Sequence, residues 1–341
     1  MSVTIKDVAR AAGVSPSTVS RVISRHPKIS PATARKVREA MESLGYHPNI
    51  MAKSLVSKST QTIGLVLPRS AEELFVNPFF SEVLRGMLAY ANTARYDMLM
   101  SSATSQQEEL DAVTRMVLGR RVDGLILMAP RLGDPIIERL LELDFPFVLL
   151  GRSPEHEDLF LVNNNNVSAG YDATHHLISL GHTRIGFVGG PPDMVVIHDR
   201  LTGYKQALEE VGLPFRDEWV INADLLQKSG FHAVSVAMNY QEKPTAFVIA
   251  DDIVAFGMIR GLCEAGLSVP EDVSVISFNN IMLSELSNPP ISTIDIGIYH
   301  LGYLTVQQLI RRLSGESSLQ KQVIVPHRLI VRGSSGAPRP R

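Results

Sequence analysis

Only one cysteine, Cys263, occurs in 341 residues, so no internal disulfide can form and a reducing cytosol suits the chain. The N-terminus carries no apolar run behind a basic start, which predicts that no secretory leader is present and that the protein is cytoplasmic. No stretch of about 18 apolar residues occurs, so no membrane span is predicted. A GxxxxGK(S/T) phosphate loop is missing. GFVGGPPD (186–193) matches it only loosely and reads as a strand end entering a turn. The pair His175-His176 occupies adjacent helical positions, so the two imidazoles point in different directions. No Cys or acidic set at ligand spacing accompanies it, and neither a metal nor another cofactor is expected. No Ser/His/Asp or Cys/His constellation can be assembled, so no enzyme is expected. The tail GSSGAPRPR (333–341) lacks a leucine heptad, which favours a dimer over a tetramer.

What is present is unevenly distributed. Net charge is −2, yet residues 1–60 hold ten Lys/Arg against the acids Asp7, Glu39 and Glu42. The first 60 residues are therefore about +7 and the rest about −9. A small basic head on an acidic body suits a polyanionic partner at one end only. A solvated charged surface is the plain alternative. At 45% hydrophobic, the chain is long enough for two or three compact units.

Thr4 to Ile23 reads TIKDVARAAGVSPSTVSRVI, a helix, a glycine turn and a second short helix. Ile5, Val8, Ala9 and Ala12 recur at helical spacing, and Gly13 stands where a tight turn excludes a Cβ. Ser15-Pro16 and Ser30-Pro31 each read as an N-cap followed by proline at the first helical position. Helices are predicted at about 4–12, 16–24 and 31–44. The second puts Ser17, Thr18, Ser20 and Arg21 near its start and on its outer side, the layout of a helix that enters the DNA major groove. NIMAKSLVSK (49–58) reads as a helix too short to be stable alone in water, and so as a natural switch segment.

From Thr62 apolar runs alternate with amphipathic stretches. Buried strands are predicted at 62–68, 97–101, 122–128, 145–150, 184–190, 244–250 and 272–278. Helices are predicted at about 78–94, 106–119, 134–142, 166–180, 199–211, 228–240 and 251–265. This alternation predicts two Rossmann-like α/β halves with parallel sheets and a cleft between them. Ligands in such folds sit beyond the carboxyl ends of strands, here Arg69–Phe80, Asn163–Asn166, Asp251–Asp252 and Asn279–Asn280.

TIKDVARAAGVSPSTVSRVI, GYHPN (45–49), NPFF (77–80), SLGHTRIGFVGG (179–190), DRLTGY (199–204), PTAFVIADDIVAFG (244–257), EDVSVISFNN (271–280) and NPPISTI (288–294) together resemble the LacI/GalR family of bacterial transcription regulators, essentially end to end. The resemblance implies a three-helix helix-turn-helix head (1–47), a hinge helix or linker (48–60) and a two-lobed body like periplasmic sugar-binding proteins (61–341). The N-lobe would take about 61–161 and 293–322, the C-lobe about 162–292 and 323–335. It also implies a homodimer on a pseudo-palindromic operator. Pro16, Ser17 and Thr18 fall on the family's base-reading positions, and Ser20 and Arg21 on positions that add base or phosphate contacts. Proline cannot donate a hydrogen bond, so readout there would be apolar or by shape. Thr4, Ser15, Ser30, Thr33, Tyr46 and Asn49 match phosphate-positioning groups. For Ser15, Ser30 and Thr33 helix capping is the other role, and both can coexist. Leu55 matches a leucine that wedges into the minor groove, with Ala52 allowing close packing beside it, and a plain linker leucine is the alternative.

The same resemblance implies an effector cleft lined by Asn77, Phe79, Phe80, Asn164, Arg200, Leu225, Asp251 and Asn279. Arg200 would give its guanidinium fork to a ligand, or else form an internal salt bridge with Asp199 or a neighbour. At least one of Phe79 and Phe80 would pack on sugar C–H faces, unless both are core. Leu225 replaces an aromatic wall found in some relatives, and Asp252 would brace its lobe. Family members often carry Asp where this chain has Asn164 and Asn279. Amides both donate and accept, so the lining suits a neutral oligosaccharide and not a cation. FNN with NPPISTIDI, and the NPFF loop, are similar to the maltose/maltodextrin-operon regulators of Gram-positive bacteria, which makes maltose or a maltodextrin the expected effector of a carbohydrate-operon repressor. The alternative is a global catabolite-control regulator that responds to a phosphorylated carrier protein.

Overall fold

Three helices close around one small apolar cluster at the N-terminus: α1 (Ile5–Ala12), α2 (Pro16–Ile23) and α3 (Pro31–Ser43). Val8, Ala9, Val19, Val22, Val37 and Ala40 are its buried members. Burial of each valine contributes about 1.5–3 kcal/mol, enough to hold helices too short to stand alone. The caps work as the residue order requires. Ser15 Oγ accepts from Thr18 N at 3.2 Å, and Ser30 Oγ accepts from Thr33 N at 3.2 Å. Gly13 ends α1 at φ 65°, the left-handed conformation that lets α2 turn back on it. The computed structural model describes residues 3–23, 26–46, 59–67 and 71–339, the side chains of 71–73 excepted. The predicted segment 49–58, with Asn49, Ala52 and Leu55, and also Arg69, lie outside them.

The chain divides into two units, Met1–Thr60 and Gln61–Arg341. In the second, strands and helices alternate. They run β1 (Thr62–Leu67), α4 (Ala71–Val76), α5 (Pro78–Ala94), β2 (Asp97–Ser102), α6 (Gln106–Leu118), β3 (Gly124–Met128), α7 (Pro135–Glu142), β4 (Phe147–Leu150) and β5 (Leu161–Asn163). There follow α8 (Asn166–Ser179), β6 (Ile185–Gly189), α9 (Val195–Glu210), β7 (Val220–Asn222), α10 (Gln227–Met238), β8 (Ala246–Ile249), α11 (Asp252–Glu264), β9 (Ser274–Phe278), α12 (Met282–Leu286) and β10 (Ser292–Asp295). The order ends with α13 (Ile298–Leu313), β11 (Gln322–Ile324) and β12 (Arg328–Ile330). One sheet is ordered β11-β5-β4-β3-β1-β2, with every pair parallel. The other is ordered β12-β10-β9-β8-β6-β7, parallel except for β10 with β12. β3, β4, β6, β8 and β9 are buried throughout, as sheets covered on both faces require.

The chain passes from one sheet to the other at 163–166, 295–298 and 324–328, a few residues past the expected lobe limits at 161/162, 292/293 and 322/323. Helix α9 starts at Val195 rather than at 199, because Val195 and Ile197 are buried apolar positions one turn upstream. α8 and α9 press backbone to backbone: a Cβ on Gly203 would stand 1.9 Å from Val167 O. That close approach sets Arg200 of α9 beside Asn166 of α8. No helix among the described residues is long and apolar enough to cross a membrane.

Candidate functional site

On the head, α2 buries Val19 and Val22 and leaves Pro16, Ser17, Ser20 and Arg21 exposed, with Thr18 half-buried. The residues read as base-contacting thus share the side turned away from the head core. Ser15 Oγ bonds Ser17 Oγ at 2.8 Å and Thr18 Oγ1 at 2.9 Å, so three hydroxyls cluster at the start of α2. Thr4 donates both its N–H (3.0 Å) and its hydroxyl (2.6 Å) to Asp7 Oδ2. Thr33 Oγ1 lies 2.8 Å from Ser30 Oγ, so the capping role of both serines is occupied in the structure. Tyr46 is half-buried and packs on the head core. Such hydroxyls and N–H groups at helix starts are the chemistry that positions phosphates.

In the body a cleft lies between the two sheets' C-terminal ends. All eight expected effector residues line it: Asn77, Phe79, Phe80, Asn164, Arg200, Leu225, Asp251 and Asn279. Phe79 and Phe80 meet edge to face, with ring centroids 5.3 Å apart, and Phe80 also belongs to the core. Met128, Met194 and Ile197 add apolar wall.

Arg200 is placed differently from the reading of a free fork. It is 4% exposed, its Nε donates to Asn166 Oδ1 (3.1 Å), its Nη1 donates to Ala250 O (2.6 Å), and its guanidinium lies 4.2 Å from the Phe278 ring centre. Burial lowers its pKa to about 10, against the pull of Asp251, Asp252 and Asp199. The alternative pairing with Asp199 is not made either, since that carboxylate bonds Arg152, Nε to Oδ2 at 2.8 Å and Nη2 to Oδ1.

Asp251 caps α11 by accepting from Ile253 N (2.8 Å). Its other oxygen accepts from Asn77 Nδ2 (3.1 Å) and Asn279 Nδ2 (2.9 Å). Burial, then the nearby charge of Asp252, raises its pKa to about 6, while the hydrogen bonds from Ile253 and Asn77 and the charge of Arg200 oppose the rise. Asp252 braces its lobe: it accepts from Thr293 Oγ1 (2.7 Å), Ser284 Oγ (2.6 Å), Ile281 N (2.9 Å) and the Ser277 hydroxyl. Asn279 stands at φ 110° and Asn280 at φ 55°, a conformation asparagine tolerates better than most residues.

Asn164 lines the cleft, but its Nδ2 donates to Ile296 O and Val325 O, both at 2.9 Å. One amide on the first crossing therefore fastens the other two, and only its oxygen is left to face a ligand. An ionised carboxylate could not donate either bond. The reading missed Arg152 and gave Asp199 and Asn166 no place among the effector residues, because the bonds Arg152–Asp199 and Arg200–Asn166 join residues remote in sequence. His175 stacks on Tyr171 (5.6 Å), and His176 Nε2 bonds Ser335 Oγ (2.9 Å).

Residues 4–49 match the family described as bacterial regulatory proteins, lacI family, and residues 174–335 match the periplasmic binding protein-like domain. The chain is 38% identical over 338 residues to the HTH-type transcriptional regulator MalR of Streptococcus pneumoniae serotype 4, covering 97% of this chain and 99% of that one. Among solved structures, a transcriptional regulator CelR–cellobiose complex is 30% identical with a TM-score of 0.76, covering 97% of this chain and 99% of that one. A lac repressor dimer bound to operator and the anti-inducer ONPF has a TM-score of 0.87 at 27% identity, covering 99% of this chain and 100% of that one.

Proposed function

The chain belongs to the LacI family of bacterial regulatory proteins, and from that premise we propose that it is a homodimeric repressor of a carbohydrate operon, released from its operator by maltose or a maltodextrin in the cleft. One observation carries the choice of ligand. The charged groups of the cleft wall are two arginines, Arg152 and Arg200, and two aspartates, Asp199 and Asp251, against aromatic and aliphatic faces. A lining with balanced charge, amide groups and apolar rings fits a neutral polyhydroxylated molecule. A cellobiose complex formed by a 30% identical regulator supports a disaccharide-sized ligand.

The head of 1–47 reads the operator through α2, 48–60 connects, and 61–341 senses. Ligand shifts one lobe against the other, and the paired connectors transmit the shift to the heads. Ligand and operator then alter each other's affinity by the same factor. Met282 and Leu286 of α12, 73% and 68% exposed, are the apolar pair a partner subunit would cover. The saccharide is sensed, not turned over, and the protein works in the cytoplasm beside the DNA it reads.

Calorimetry tests the ligand reading: heats of binding are expected for maltose and maltotriose, weakened roughly tenfold or more by Phe79→Ala through loss of a stacking face. No heat with either sugar would remove the assignment. Leu55→Ala tests the proposed minor-groove wedge. Specific operator affinity should fall by roughly tenfold or more while salt-sensitive binding to random DNA stays, because unstacking contacts are made only at the bent site. Equal losses on both DNAs would show that Leu55 is no wedge.

A further inference from the structure

Two loops of the first lobe reach across the cleft to one short stretch of the second. After β3, Pro130 O accepts from Val195 N (3.1 Å), and Leu132 N donates to Asp193 O (2.9 Å). Arg131 binds Glu109 of its own lobe by two bonds, 2.7 and 2.9 Å, and its Nε stands 3.7 Å from Asp193. After β4, Arg152 gives two guanidinium N–H groups to the two oxygens of Asp199 on α9. The two arginines are not equivalent. Arg131 keeps Glu109 if the lobes part, whereas Arg152 and Asp199 would separate. Asp199 is 2% exposed, and among the described residues its carboxylate accepts hydrogen bonds from Arg152 alone. Both residues also line the cleft. On the other side, Asn77 Nδ2 to Asp251 Oδ2 is the only comparable side-chain tie among the described residues.

We propose that Arg152 is the gating residue of the cleft: its bidentate pair with Asp199 holds the lobes together without ligand, and a polyhydroxylated ligand enters by taking over the hydrogen bonds of that pair. This deepens the reading of the cleft as a saccharide site and rests on it for the identity of the ligand, but not for the latch. The physical logic is that a fork-to-carboxylate pair is strong and directional yet exchangeable. Sugar hydroxyls can accept from the guanidinium and donate to the carboxylate, so neither charge is left bare when ligand replaces the direct contact. Arg152 is about one-third exposed, so salt reaches the pair and weakens it.

Amide hydrogen exchange on the full chain without ligand tests the latch. The N–H groups of Leu132 and Val195 donate across the lobes and report closure directly. Arg152→Gln should speed their exchange roughly tenfold, and Arg152→Lys, which keeps charge but loses the fork, by less. The double variant Arg152→Gln/Asp199→Asn, which strands no carboxylate, should open the same two amides. Amides of the β8–β9 ladder, Val248 and Ile276, should keep wild-type protection in every variant. Stopped-flow mixing with maltose should show association roughly tenfold faster in Arg152→Gln, and wild-type association that accelerates with salt. Unchanged exchange at Leu132 and Val195, or equal loosening of Val248 and Ile276, would overturn the latch. The exchange arm contains no sugar, so failure of maltose to bind would sink the saccharide reading and leave the latch tested.

Discussion

Arg200→Ala is expected to lower the unfolding free energy of the body by about 3–5 kcal/mol, the range for removing one partner from a buried charge network. The guanidinium is 4% exposed and spends its donors on Asn166 Oδ1 and Ala250 O. Deleting it leaves both acceptors unsatisfied, opens a hole beside Phe278 and removes the cation that offsets Asp251, Asp252 and Asp199. Arg200→Lys should fare little better, because one ammonium cannot reproduce the fork or its stacking on the ring. The ligand response should vanish as well, since Asn166 takes its place from Arg200 and Asp251 loses the charge that offsets it. Urea unfolding of the body followed by fluorescence checks this. A loss below about 1 kcal/mol would show that the buried guanidinium does not hold the site together.

Asn279→Asp is expected to make the stability of the body strongly dependent on pH. The Asn279 amide donates to Asp251 at 2.9 Å. A carboxylate there would face a carboxylate: two like charges about 4 Å apart repel by about 4 kcal/mol at an effective dielectric constant of about 20, and a hydrogen bond is lost besides. In the wild type, burial raises the pKa of Asp251 from 3.8 to about 6, so the native state holds the proton more tightly than the unfolded chain. That group's contribution to stability is therefore full below about pH 4 and falls away as pH rises toward about 6. A second acid in contact moves the window upward. The variant should approach wild-type stability near pH 5 and fall several kcal/mol short of it at pH 8. A pH-independent deficit would show that the Asn279–Asp251 bond has no electrostatic consequence. The same reasoning accounts for the pairing of an amide and an acid at these two positions: one must donate and the other accept.

The head was legible in the sequence almost residue by residue, because its signals are local. Ser15-Pro16, Ser30-Pro31 and Gly13 act within one turn of themselves, and the caps form where those residues stand. The buried central strands were legible for the same reason, since β3, β4 and β8 are continuous apolar runs. The short strands were not. β5, β7, β11 and β12 have three residues each, too few for a period, and β12 exists only because it pairs with β10. The cleft residues were found through motif resemblance, and all eight converge on one cavity, but the partners they choose there are set by long-range packing. Arg200 turns inward because Gly203 lets α9 sit directly on α8. Arg152 and Asp199 lie 47 positions apart on opposite lobes, and nothing near either residue signals the pair. Asn164 matches a ligand position by motif, yet its donors go to the two other crossings, which only the folded chain brings within reach.

The most direct test of a saccharide-released repressor is operator-fragment binding followed by fluorescence anisotropy, titrated with maltose, maltotriose and glucose at one fixed salt concentration. Fixed salt matters because phosphate contacts dominate affinity and change steeply with ionic strength. Release by maltose or maltotriose, with glucose inert, is the predicted result. Retention of the operator in the presence of all three sugars would contradict the saccharide assignment and direct the search to a phosphorylated carrier protein as the signal.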